Sequence, residues 1–340
     1  MTLTSDILPG REAAPGFLWA FAGTAEGGTR RVPIDGLGEA LAGPRWVWVH
    51  VDLLDQRARS WARTFCGLSP ETALLDGPDA PVSFERVEGE IRGVCADFNL
   101  DFLRVSDSVG QFGFVAREGL LVTGWLHPLA GVDATRAAAS DGARFGSAFA
   151  VLAAIVAGFG RAATARLRLA EKDLDRVEDQ LLAARAPDER IVLKQVRRVV
   201  LALHRPVAAM MRLLDDDIEL GEDDEGEPPR ERRDGAAAIA EMSNRLGSLD
   251  QTLRAVNDRA KLLQEEMAAE LADESNRSLR ALTVMTALLM PGTMVAGVFG
   301  MNTGGLPFEV PTWGTGAALL LIIVSTLVFY RVLIRLGASL

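Results

Sequence analysis

The chain has 340 residues, of which 24 % are charged and 49 % hydrophobic, and it carries a net charge of −10. That composition excludes a disordered or fibrous chain, and the acidic balance, without any basic patch interleaved with aromatics, excludes nucleic acid as an expected partner. Cys66 and Cys95 are the only cysteines, too few for a disulfide framework and suited to a reducing compartment.

Met1–Asp6 lacks the basic flank and apolar run of a signal peptide. Residues 1–140 alternate strand and helix signals. Short β-branched or aromatic runs bounded by Gly, Pro and Asp fall at Phe17–Phe21, Trp46–Val51, Ile91–Ala96, Phe112–Val115 and Leu120–Thr123, with a helical segment from Gln56 to Leu75. The expected fold here is a cytoplasmic α/β domain. It has no Gly-rich phosphate loop, nucleophile elbow or metal cluster, so an enzyme is not expected. His50, His127 and His204 are scattered and read as hydrogen-bonded polar side chains rather than zinc ligands.

Residues 141–280 are expected to be long cytoplasmic helices. Ala, Leu, Val and Arg dominate from Ala143 to Leu214, predicting a two-helix hairpin with its turn at Ala186-Pro187-Asp188, Asp188 as N-cap and a kink at Pro206. Nine of the 13 residues from Asp215 to Glu227 are acidic, and with Pro228-Pro229 they read as a solvated loop or helix tip; several copies around a ring would also attract divalent cations. A third helix begins near Asp234. Its apolar seam, Ile239, Met242, Leu246, Leu249, Leu253, Val256, Ala260, Leu263, Met267 and Leu271, keeps steps of three and four and predicts packing along its whole length.

No Pro or Gly interrupts residues 248–290, so this helix is expected to run straight into an apolar stretch, a rod on the order of 100 Å. Two uncharged runs, Ala281–Gly300 and Val310–Tyr330, are each long enough for the hydrocarbon core of a bilayer, roughly 30 Å. They form the expected membrane domain, residues 281–340, with an outer loop over 301–314. Arg277 and Arg280 precede the first span, Arg331 and Arg335 follow the second, and the loop has no Lys or Arg. By the positive-inside rule both termini are cytoplasmic. On the face of the rod opposite the seam, Glu265, Ala269, Ala272, Asn276 and Leu279 recur at helical steps and lead on to Thr286, Met290 and Thr293. Such a stripe fits either a close helix contact or one wall of a polar conduit. The conduit needs several copies around an axis. A membrane-tethered coiled-coil scaffold is the competing reading, against which the continuation of the polar stripe into the bilayer counts.

The run Leu282-Thr283-Val284, Met290-Pro291-Gly292-Thr293 and Ala296-Gly297-Val298-Phe299-Gly300-Met301-Asn302 resembles the pore helix and Gly-Met-Asn signature of the CorA superfamily of divalent-cation transporters. Within it, Arg259–Glu266, Glu274-Ser275-Asn276-Arg277 and Gly304-Gly305-Leu306-Pro307 resemble the zinc-transporting ZntB branch. One departure is Thr123-Gly124-Trp125-Leu126-His127-Pro128, where relatives often carry a basic residue after the Thr.

The resemblance implies a homopentameric funnel in the bacterial inner membrane, with five first spans lining the pore and the second spans outside them. It implies a mouth made by Gly300, Met301 and Asn302, with Glu309 beside it. The pathway behind would be lined by Glu265, Asn276, Leu279, Leu282, Thr286, Met290 and Thr293. No cofactor is expected to be held permanently. Zn2+ is the expected cargo, with Mg2+, Co2+, Ni2+ and Cd2+ as alternatives. An Asn302 carboxamide ring can accept hydrogen bonds from a cation's hydration water without trapping the bare ion. No ionisable side chain lies between Ala281 and Pro307, so a proton relay through the membrane part is not expected.

Overall fold

The computed structural model describes residues 16–43, 45–68, 81–87, 90–101, 104–183, 189–219, 230–300 and 313–335. The chain divides into two compact units, Met1–Lys261 and Leu262–Leu340.

The first unit is built on a seven-stranded sheet. Its strands are β1 (Phe17–Gly23), β2 (Thr29–Val32), β3 (Val47–Asp52), β4 (Ser83–Val87), β5 (Glu90–Asp101), β6 (Arg104–Arg117) and β7 (Leu120–Trp125), in the order β2-β1-β3-β7-β6-β5-β4. Only β3 and β7 pair in parallel, with Val49 opposite Val122, while the other neighbours are antiparallel. These two central strands are buried on both faces, which is why their runs are almost wholly apolar or aromatic.

Alternation along β3 sends Val47, Val49 and Val51 to one face. There they join Ala58, Ala62 and Phe65 of α2 (Gln56–Cys66) and Leu37 and Ala40 of α1 (Leu37–Ala42). Trp48 and His50 point to the other face, an aromatic layer with Trp19, Phe21 and Trp125. This side is covered by α3 (Ala130–Ser140) and the first half of α4 (Ala148–Leu182), where Phe159 stacks on Phe98 with centroids 5.4 Å apart.

The predicted α/β class and five of the strands appear as expected. The helix expected over residues 56–75 instead stops at Cys66. Gly67 takes a left-handed conformation with φ of 69° and, with Leu68, caps the carbonyls of Thr64 and Arg63. Strands β2 and β4 and helices α1 and α3 are additions to the sequence reading.

The expected helical hairpin consists of α4 and α5 (Glu189–Glu219); α5 continues past Pro206, and Ser147 caps α4 by accepting from the Ala150 N–H at 3.2 Å. The turn residues Ala186–Asp188 lie outside the described residues, as do residues 220–229 of the acidic segment. Helix α6 starts at Arg230, four residues before the expected Asp234, and runs unbroken for 71 residues to Gly300 with Pro291 inside it. At about 1.5 Å per residue that is on the order of 105 Å. Its seam is buried from Ile239 to Met267, but Leu271 is 42 % exposed, so the expected ten-position seam ends one step early. Helix α7 (Gly314–Arg335) completes the second unit.

Candidate functional site

Within the second unit, the predicted pathway residues can be placed by the register of α6 on α7. A Cβ built on Gly292 would stand 3.3 Å from Ile322 Cγ2, so the helices meet where α6 carries no side chain. Partial burial repeats at helical spacing around this contact, through Val284, Leu288, Pro291, Gly292, Val295 and Phe299 of α6, and through Gly314, Ala317, Ala318, Ile322, Ser325 and Thr326 of α7. Small residues supply most of the α7 side, as close packing between apolar helices requires.

The predicted pathway residues fall on the other face of α6. Glu265, Asn276, Leu279, Leu282, Thr286, Met290, Thr293 and Gly300 are all exposed, with Leu282 at 62 % and Met290 at 68 %. At about 100° per residue these positions span roughly a third of the helix circumference, and Met290 lies nearly opposite Gly292. The hydroxyls along this face bond to their own helix: Thr283 Oγ1 donates to Leu279 O at 2.7 Å, Thr286 Oγ1 to Leu282 O at 2.8 Å and Thr293 Oγ1 to Met290 O at 2.9 Å. Among the described residues no atom would meet a Cβ at Gly300. Met301, Asn302 and Glu309 lie outside the described residues.

Among the described residues three helices, α4, α6 and α7, are long and apolar enough to cross a membrane by length and composition. They differ in what covers them. The apolar window of α4 is 44 % buried, with Val151, Leu152, Ile155 and Phe159 in the sheet core, whereas the windows of α6 and α7 have no buried residue.

The first unit holds the α6 seam in place. Gly247 lies against Met211 of α5, and the Arg259 guanidinium bonds Asp175 at 2.7 Å and also Glu178, both on α4, which raises its pKa. His50 is fully buried: Nδ1 meets Thr123 Oγ1 at 2.6 Å, Trp19 stacks on the ring at 4.2 Å, and Nε2 has no partner. Burial without an anion holds its pKa well below the usual value. The histidine is therefore only half satisfied. Trp125 packs edge-on against His50 at 4.4 Å and is a core residue.

Sequence reasoning passed over Asp97. Its carboxylate accepts from the N–H groups of Phe98, Gly131 and Val132 at 2.8, 2.7 and 3.1 Å, fastening β5 to the start of α3, and burial pushes its pKa up to about 7. An acid inside the apolar run Cys95-Ala96-Asp97-Phe98 was the available signal. Among the described residues no three His, Cys, Asp or Glu side chains stand together as a metal-holding group.

A family model described as "CorA-like Mg2+ transporter protein" matches residues 44–335. The zinc transport protein ZntB of Yersinia enterocolitica is 27 % identical over 163 residues, covering 47 % of this chain and 46 % of that protein. The divalent cation transporter CmaX of Pseudomonas aeruginosa is 32 % identical over 82 residues, 24 % of this chain and 25 % of that one. Those matches thus span less than half of either curated relative. The fold is shared more widely. The full-length CmaX structure superposes with a TM-score of 0.75 at 23 % identity, covering 95 % of this chain and 98 % of that one. The CorA magnesium transporter of Methanocaldococcus jannaschii gives 0.69 at 16 % identity over 93 % and 97 %.

Proposed function

Because the chain belongs to the CorA family of transporter proteins, we propose that it moves divalent cations across the bacterial inner membrane as a homopentamer, with zinc as its main cargo. The stretches Ala281–Gly300 and Val310–Tyr330 are the two spans. Helix α4 stays in the cytoplasmic part, because its apolar side is already committed to the sheet.

The observation that carries this reading is the division of α6 into two faces. One packs on α7, while the other, bearing Leu279, Leu282, Thr286, Met290, Thr293 and Gly300, is exposed among the described residues. A helix that buries one face and bares a mixed polar and apolar stripe is completed by copies of itself around an axis. Five copies bring the Asn302 carboxamides into a ring at the outer mouth, with Glu309 nearby, while Arg277, Arg280, Arg331 and Arg335 keep both termini cytoplasmic. The chain acts as a transporter and not as an enzyme.

The zinc assignment rests on likeness to proteins described as zinc transporters, and magnesium is the competing cargo because the matching family model is described for it. Uptake of Zn2+ and Mg2+ into proteoliposomes, compared at equal concentration, separates the two. Zinc flux should exceed magnesium flux, and Asn302→Ala should insert normally yet lose most of it. Wild-type flux by that variant would remove the carboxamide ring from the mechanism.

A further inference from the structure

We infer that two arginine pairs at one depth, Arg277 with Arg280 on α6 and Arg331 with Arg335 on α7, bind the phosphate-bearing headgroups of anionic phospholipids in the cytoplasmic leaflet. This inference rests on the two-span reading above. Its starting point is the contact of Gly292 with Ile322, which lies close to the middle of both apolar stretches and so marks the bilayer midplane.

Counting from that contact at about 1.5 Å per residue gives depths for all four arginines. Arg331 stands 9 residues away, Arg280 12, Arg335 13 and Arg277 15, hence about 14, 18, 20 and 22 Å from the midplane. Half of the hydrocarbon core ends at about 15 Å and the headgroup layer at roughly 20 to 22 Å. Two antiparallel helices with unrelated local sequences thus deliver four guanidinium groups to the level of the lipid phosphates. At the opposite end, Trp313 lies 9 residues from Ile322 and is 79 % exposed, an interfacial aromatic at about 14 Å with no basic residue beside it.

The four arginines are also chemically free. Among the described residues none of them has a carboxylate partner, whereas Arg92, Arg136, Arg166, Arg254 and Arg259 in the first unit are all paired. The nearest acids on α6, Glu274 and Asp273, are 18 and 19 residues from Gly292, about 27 to 29 Å out and beyond the phosphate level. Arg331 and Arg335 are one turn apart and about half a revolution round from Ile322, so they face away from α6 and toward lipid. The planar guanidinium fork matches a phosphate, and free phosphate would gain nothing from the apolar helices that fix these depths. The chain as a whole is acidic, at a net −10 with these four arginines included, so attraction of an anionic lipid is local to this band.

The test is binding and thermal stabilisation of the detergent-solubilised full chain by phosphatidylglycerol against phosphatidylcholine, with inorganic phosphate as a third arm and membrane insertion checked by alkaline extraction. Phosphatidylglycerol should be preferred. Arg331→Gln with Arg335→Gln should cut that preference by on the order of thirtyfold, from about fivefold per arginine. The double Lys variant should retain most of it. Equal response to the two lipids, a preference untouched by either arginine pair, or equal stabilisation by inorganic phosphate would overturn the assignment. A chain that fails to insert would instead overturn the two-span reading beneath it.

Discussion

Replacing Gly292 by Leu tests the α6–α7 register directly. The Cβ alone would sit 3.3 Å from Ile322 Cγ2, a few tenths of an ångström closer than ordinary contact. Gly292→Ala should therefore be close to neutral, since a small shift of one flexible methyl is offset by about 1 kcal/mol of helix propensity. Leu adds three more carbons pointed into α7. Overpacking of this kind costs about 1–3 kcal/mol, leaving Leu about 1–3 kcal/mol below the Ala variant and up to about 2 kcal/mol below the parent after the propensity gain. Ile322→Ala should restore most of that loss in the double variant, a coupling on the order of 1 kcal/mol. Thermal unfolding in detergent, read by circular dichroism, supplies all four corners of the cycle. A Leu variant as stable as the Ala variant, or one that Ile322→Ala does not rescue, would refute the register and the depths counted from it.

Three further outcomes are expected. Met290→Ser should raise leak current through reconstituted protein without lowering detergent stability, because the side chain is 68 % exposed and, in the pentamer proposed above, a ring of five would close the pathway by expelling water; lost stability with unchanged leak would make it a packing residue. Glu309→Gln should lower uptake chiefly at low salt and low metal, since a surface field is screened over about 8 to 10 Å at ordinary ionic strength, and a loss independent of salt would indicate direct coordination. Asp97, with its pKa raised to about 7, keeps its proton in the native state where the unfolded chain has lost it. Stability of the parent should thus fall by up to about 1.4 kcal/mol per pH unit as pH rises from about 4 to 7, then level off, while Asp97→Asn should lack that slope; equal slopes would show that another group titrates.

Features set by local pattern were legible in the sequence, whereas those set by distant partners were not. The apolar runs of β3 and β7 announce strands buried on both faces, and the steps of three and four along α6 announce a packed seam. Strand β2, Thr29–Val32, carries Arg30 and Arg31 and is a strand only because β1 offers it an edge. Strand β4, Ser83–Val87, is likewise recruited by β5. The seam expected to reach Leu271 ends at Met267, because a stripe records which face is apolar but not how far a covering partner runs alongside. Gly67 could have been read as a stop, since a glycine at the end of an amphipathic run is the usual left-handed cap. For the candidate site, the stripe from Glu265 to Thr293 was legible as one face of a helix. Its separation from the α7-facing side became visible only through Gly292 and the small residues of α7.

The threonine hydroxyls of α6 bear on the sign of the charge that can pass. Each of Thr283, Thr286 and Thr293 has its single proton engaged by a carbonyl of its own helix, so what a hydroxyl shows outward is lone pairs. An assembly that turns this face inward would, over the stretch from Thr283 to Thr293, line its passage with electron donors and no free side-chain proton, the carboxamides of Asn276 and Asn302 lying outside that stretch. Water shells oriented around a cation, with hydrogens outward, find acceptors there, while the shell of an anion finds none. Discrimination against anions would then need no charged side chain in the membrane and would persist at salt concentrations that screen the outer acids.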